Sequence, residues 1–142
     1  MVFGKKQRRI ARLLVVEDEP LIAFDTEHLL TEEGYEVVAT VDRVADAVAL
    51  VGGGQAIDLV LVDVNLADGS GIDVARAAHG RGIPVLFVTG ECPGEAEALA
   101  AGCLSKPYSQ RALLGAILAI EASLEGKKAR RLPGGFRLFE KA

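Results

Sequence analysis

The sequence predicts an α/β domain in which a parallel β-sheet is covered by helices on both faces, and three observations predict it. Five short apolar runs alternate with segments of helical periodicity, the pattern of successive βα units. The run Ala56-Ile57-Asp58-Leu59-Val60-Leu61-Val62-Asp63-Val64-Asn65 has apolar residues at consecutive positions, as a central strand buried on both faces must. The runs also end on chemistry-bearing residues: Glu17 and Asp18 after the first, Asp63 after the third, Thr89 after the fourth and Lys106 after the fifth. Ligands of such sheets bind beyond the carboxyl ends of the strands, so these residues mark one cleft.

At 142 residues, half of them apolar, the chain is expected to form one domain with a sizeable core. It has no run of about 18 apolar residues that would span a membrane. The basic N-terminus lacks a following apolar region and cleavage site, so no signal peptide is expected and the predicted location is cytoplasmic. Residues 1–12 carry five Lys or Arg and no acid, residues 126–142 carry six against one acid, and the middle carries five against nineteen. This divides the chain into a basic tail at 1–9, a domain at 10–125 and a basic tail at 126–142. The tails are read as solvated ends, with an anionic partner as the alternative. Cys92 and Cys103 are too few for a disulfide scaffold or zinc site and are expected to be reduced structural thiols. His28 and His79 are expected on helix faces, with no role as ligand or base.

Taken in order, residues 10–16 are strand one, and Pro20 suits the first turn of the helix that follows, with Glu17 to Glu19 placing negative charge before it. Leu21, Phe24 and Leu29 are assigned to one face of this helix, with His28 in the same arc and Gly34 as its stop. Residues 36–41 are strand two. Val44, Val48 and Val51 give helix two, ending at Gly52-Gly53-Gly54. The turn-rich stretch 65–71 follows strand three and leads into a helix over 72–78, closed by Gly80-Arg81-Gly82; Gly69 and Gly71 are read as turn residues without a ligand role. Residues 84–88 are strand four. Residues 93–101 leave room for about two helical turns, and residues 103–105 are strand five. Ser109 is the N-cap of a last helix with Leu113, Ile117, Ile120 and Leu124 on one stripe. The run Gly135-Phe136-Arg137-Leu138-Phe139 is able to add an edge strand or pack on the domain.

Carboxylates gathered in one cleft repel one another, and a divalent cation with oxygen ligands relieves this; Mg2+ fits, since it accepts few protein ligands and keeps several waters. With the metal and the Lys106 ammonium neutralising phosphoryl oxygens, Asp63 becomes a nucleophile toward phosphorus, and Thr89 is able to hydrogen-bond the same group.

These residues resemble the receiver domain of two-component response regulators, CheY-like, over about residues 10–124. The matching motifs are Leu13-Leu14-Val15-Val16-Glu17-Asp18-Glu19-Pro20, Leu59-Val60-Leu61-Val62-Asp63, Asp68-Gly69-Ser70-Gly71, Val88-Thr89-Gly90 and Lys106-Pro107. The resemblance implies a flavodoxin-like, doubly wound five-stranded parallel sheet of order 2-1-3-4-5 with its site at the switch point between strands one and three. It further implies that Asp63 accepts phosphate, and that Asp18, Asp63 and the Asn65 backbone carbonyl hold Mg2+, with Glu17 acting through water. Lys106 would bridge Asp63 and the phosphoryl group, with a cis bond to Pro107. Thr89 and the position of Cys103 would form the switch, while Asn65 and Glu91 would tune hydrolysis of the acyl phosphate. The chain departs from the family in three places: seventeen positions separate Thr89 from Lys106, fewer than usual, which shortens helix four; Cys103 replaces the usual switch aromatic; and Ala67 replaces a frequent proline. The run Phe87-Val88-Thr89-Gly90 with the missing aromatic resembles the single-domain FATGUY subgroup.

The expected function is that of a single-domain response regulator, a phospho-acceptor that assists its own phosphorylation and dephosphorylation and is not an enzyme acting on external substrates. Its partners are expected to be a histidine kinase or histidine phosphotransferase and an unknown downstream protein, with no DNA-binding domain. Output would pass by protein contact or onward phosphotransfer. Two rivals are a pseudo-receiver binding module without phosphorylation and an Mg2+-dependent aspartyl-nucleophile phosphatase. The second needs a carboxylic acid two residues after the nucleophile, where this chain has Asn65.

Overall fold

The computed structural model describes residues 8–128 and 131–139. Its elements in chain order are β1 (Arg12–Val16), α1 (Pro20–Glu32), β2 (Glu36–Val41), α2 (Val44–Gly52), β3 (Leu59–Val62), β4 (Asn65–Leu66), β5 (Gly69–Ser70), α3 (Gly71–Gly80), β6 (Val85–Thr89), α4 (Ala96–Leu99), β7 (Gly102–Ser105), α5 (Gln110–Leu124) and β8 (Phe136–Leu138). The main sheet has the order β2-β1-β3-β6-β7-β8. Its first five strands are parallel and reproduce the predicted 2-1-3-4-5 order. The protein therefore has the flavodoxin-like doubly wound fold, with β4 and β5 as a two-stranded antiparallel ribbon before α3.

The apolar runs fold as central strands because both of their faces find cover. Leu14, Val16, Val60, Val62, Val85 and Phe87 point into one core layer with α2 and α3, and Leu13, Val15, Leu59, Leu61, Leu86 and Leu104 point into the other with α5. Alternate side chains of a strand face opposite sides, so a strand buried on both must be apolar throughout. α5 starts as predicted, with Ser109 Oγ accepting from the Ala112 amide, and it buries Leu113, Ile117 and Ile120.

Three expectations are corrected. In α1, Leu21 is 79% and Phe24 is 68% exposed, and the helix rests on the sheet through Thr26 and Leu30, with Leu29 half-buried. Leu21, Phe24 and His28 do share a face, which looks outward, and Phe24 stacks on His28. In α2, Val44 and Val51 pack inward with Ala47, whereas Val48 lies on the rim. The third correction concerns the cysteines. Cys92 and Cys103 are joined in a disulfide, with Cα atoms 6.3 Å apart. The segment between Thr89 and Lys106 is so short that α4 is a single turn, and the chain doubles back so that Cys92 lies over the strand carrying Cys103.

The sheet also has a sixth strand. β8 pairs antiparallel to β7, with Gly102 opposite Leu138 and Leu104 opposite Phe136. Part of the stretch set apart as a C-terminal tail is thus folded onto the domain, one of the two outcomes the 135–139 pattern allowed. Gly102 is what admits it: a Cβ there would stand 2.6 Å from the Phe136 ring. The basic residues at 1–7, 129–130 and 140–142 lie outside the described residues.

Candidate functional site

The site is built by strand register. β1 and β3 are paired with Val16 opposite Val62, so the residues that follow each strand emerge side by side. The Asp63 amide donates to the Val16 carbonyl at 3.0 Å and the Glu17 amide to the Val41 carbonyl at 2.9 Å, which carries sheet pairing to the edge of the cleft. β6 and β7 end together as well, with Thr89 opposite Ser105 and the Lys106 amide donating to the Thr89 carbonyl at 2.8 Å. The Lys106–Pro107 peptide bond is cis.

The lysine then reaches across the strand ends. Lys106 Nζ donates to Asp63 Oδ2 at 2.7 Å and to Glu17 Oε1 at 2.9 Å, and Glu19 Oε2 lies 3.9 Å away. Asp63 is 7% exposed and Glu17 is buried, so both carboxylates need a hydrogen-bond partner, and the ammonium supplies it. Burial alone would lower the lysine's pKa, but its hydrogen bonds to Asp63 and Glu17 and their charges outweigh burial and raise it. For Glu17 burial is the largest influence and prevails: its pKa is raised above 4.5 despite the hydrogen bond from Lys106, the backbone amide of Glu19 and the lysine's charge, and Asp63 pushes it the same way.

One carboxylate oxygen from each of Glu17, Asp18 and Asp63 lies within 4.8 Å of the others, a donor set that suits a metal ion. Hard oxygen ligands from carboxylates match Mg2+, and half-exposed Asp18 leaves room for its waters. The Asn65 amide donates to Asp63 Oδ1 at 3.1 Å, which fixes the acceptor's orientation. Thr89 is buried at the cleft floor, while Glu91 is exposed on the loop after it. Of the predicted site residues, Glu17, Asp18, Asp63, Asn65 and Lys106 are brought together by these contacts, and Thr89 joins them through its backbone. Cys103 sits buried on β7 opposite Phe87 and is tied to Cys92, so its side chain is not a free rotor.

Three residues without an expected site role also shape the cleft and its surroundings. A Cβ on Gly71 would collide with the Asp63 carbonyl oxygen, and the Gly71 amide donates to the Val64 carbonyl at 2.7 Å, so this glycine sets the backbone at Asp63 and is more than a turn residue. Asp68 Oδ1 accepts from the Val44 amide at 2.6 Å and its Oδ2 from the Ala45 amide at 3.2 Å, so Asp68 ties the loop after Asp63 to the start of α2. Those bonds hold its carboxyl below the usual range. Half-buried Tyr108 lines a hollow together with Thr26 of α1. Asp68 and Gly71 both stand in the motif Asp68-Gly69-Ser70-Gly71, whereas Tyr108 carried no signal in the sequence.

Comparison with known proteins bears on this arrangement. The family model of the response regulator receiver domain matches residues 13–118. The transcriptional regulatory protein PdtaR of Mycobacterium tuberculosis is 36% identical over 132 residues, 83% of this chain and 63% of that protein. The phyllosphere-induced regulator PhyR of Methylorubrum extorquens is 37% identical over 79 residues, 54% of this chain and 30% of its own length. The chain thus spans less than two thirds of either relative. Among solved structures, a CheY-like response regulator receiver domain protein from Methanospirillum hungatei superposes with a TM-score of 0.74 at 27% identity, covering 82% of this chain and 98% of the other. A response regulator receiver protein from Sinorhizobium medicae gives 0.67 at 25%, covering 82% and 94%. With the strand order, the acidic cleft and the family match in agreement, the chain belongs to the response regulator receiver domain family.

Proposed function

We propose that this receiver domain accepts a phosphoryl group on Asp63 from a phosphohistidine of a histidine kinase or histidine phosphotransferase in the cytoplasm. The observation that carries the reading is the bridge from Lys106 Nζ to Asp63 Oδ2 and Glu17 Oε1, set beside the three-carboxylate group of Glu17, Asp18 and Asp63. A carboxylate oxygen of Asp63 attacks phosphorus, a P–O bond forms, and the P–N bond breaks with its electron pair leaving on the donor imidazole. Lys106 neutralises one side of the transferring group, and the Thr89 hydroxyl donates a hydrogen bond to it. Asp18, Asp63, the Asn65 carbonyl and, through water, Glu17 would hold Mg2+, which supplies further positive charge against the phosphoryl oxygens. Asn65 and Glu91 flank the acyl phosphate and set how fast it hydrolyses. The added charge of roughly −2 draws Thr89 inward and biases the loop after it, which a downstream protein reads, or the group passes onward to a phosphotransferase.

The test is phosphotransfer from a panel of phosphorylated histidine kinases and phosphotransferases to the wild type and to Asp63→Asn. Rapid transfer to the wild type and none to the variant is expected. Transfer that survives in the variant would sink the reading. Release of phosphate from small phosphomonoesters by the wild type would favour the phosphatase rival.

A further inference from the structure

The segment between Thr89 and β7 is short. α4 is one turn, Ala96–Leu99, and a helix this short has no stability of its own. Its apolar anchorage is two small buried side chains, Ala96 and Ala100, with Leu99 half-buried, and an exposed ion pair joins Glu95 to Arg76 on α3 at 2.7 Å. A covalent tie, the Cys92–Cys103 bond, closes the loop around α4 over a sequence separation of 11. Its ends are placed at the functional cleft: Cys92 lies three residues after Thr89, and Cys103 three residues before Lys106. The two sulfurs also differ in access. Cys103 is fully buried on β7, whereas Cys92 is half-buried at the surface of the loop.

We propose that Cys92 and Cys103 are a reversible dithiol–disulfide site, served by low-molecular-weight disulfides and dithiols, whose oxidised form clamps the loop after Thr89 and whose reduced form frees it. The inference rests on the proposed function in that this is the loop Asp63 phosphorylation is proposed to move and in that the location is the cytoplasm. In cytoplasmic proteins disulfides are for the most part transient, catalytic or redox-sensing, so a bond at this position is better suited to a sensor than to a permanent staple.

In the oxidising direction the Cys92 thiolate attacks one sulfur of an external disulfide and expels one thiolate. The Cys103 thiolate then attacks Cys92 in the mixed disulfide and expels the second. Two protein thiols are oxidised, one external disulfide is reduced to two thiols, and the two protons lost by the cysteines end on those thiols. Reduction begins at the half-buried Cys92 sulfur, which a dithiol attacks with Cys103 leaving as thiolate. The second thiol of the reductant then releases Cys92.

The test uses the full chain treated with dithiothreitol or with oxidised glutathione, the redox state being confirmed by intact mass after alkylation, together with Cys92→Ser. That residue is half-buried, so serine there spares the core. Amide hydrogen exchange over residues 90–101 is expected to be about tenfold faster in the reduced protein and in Cys92→Ser than in the oxidised protein. Addition of acetyl phosphate and Mg2+ is expected to change exchange over this segment in the reduced form, and about threefold less in the oxidised form. Equal exchange in the two redox states, or failure of the two reagents to interconvert them, would overturn the proposal. Absence of phosphoryl labelling in both states counts against phosphate acceptance, and the exchange difference without acetyl phosphate then decides the thiol site by itself.

Discussion

Glu17 shows at the residue scale how the cleft trades stability for reactivity. Its folded pKa is raised, chiefly by burial, so folding favours its protonated form. The stability this gives is fully present below 4.5 and is lost as pH rises through the raised value. Denaturation midpoints measured without Mg2+ are therefore expected to fall more steeply for the wild type than for Glu17→Gln as pH rises from about 4.5 through the raised pKa of Glu17. Parallel profiles would show that Glu17 does not titrate abnormally. Gly71 gives a second prediction at this scale. A methyl group there meets the Asp63 carbonyl oxygen, so Gly71→Ala must displace the acceptor backbone, at a cost of about 2 kcal/mol in denaturant unfolding and with slower labelling of Asp63. An unchanged midpoint and rate would mean that the backbone gives way freely. Asp63, Asp18 and Lys106 were legible because each stands where an apolar run ends, which a strand-end cleft turns into proximity. The Cys92–Cys103 pairing was not, since two cysteines eleven residues apart become neighbours only through a chain reversal that depends on how short α4 is.

At the scale of elements, the parallel strands and α5 could be read from pattern, because burial on two faces or on one stripe leaves a regular signature. α1 could not be assigned its inner face: its apolar residues Leu21 and Phe24 look outward, while Thr26 lies underneath, so apolarity and burial part company there. The pairing of β8 was equally hidden, because it depends on Gly102 giving up its Cβ volume to a ring more than thirty residues away. That contact makes β8 testable. Phe136 is buried against β7 and α5, and Phe136→Ala is expected to cost about 3 kcal/mol and to expose the β7 edge. Denaturation followed together with light scattering checks both; a midpoint like the wild type's would show that β8 adds nothing to the domain.

For the whole molecule, the order of the strands was legible through resemblance to receiver domains, while composition and periodicity reached only the layers of the fold. The same order brings the acidic ends of β1 and β3 and the lysine after β7 into one cleft. Three gathered carboxylates form a donor set that suits a cation, and binding that favours the folded state raises its stability. Millimolar Mg2+ is expected to raise the unfolding temperature by a few degrees, an effect removed by chelation and largely lost in Asp18→Asn. An equal rise in that variant would place the ion elsewhere.

The central claim is that Asp63 is the phosphoryl acceptor. Intact-mass measurement after incubation with acetyl phosphate tests it most directly, with and without Mg2+, on the wild type and on Asp63→Asn. One phosphoryl group on the wild type, dependent on Mg2+, and none on the variant is the predicted result. An unlabelled wild type, or a variant that still takes up the group, would contradict it.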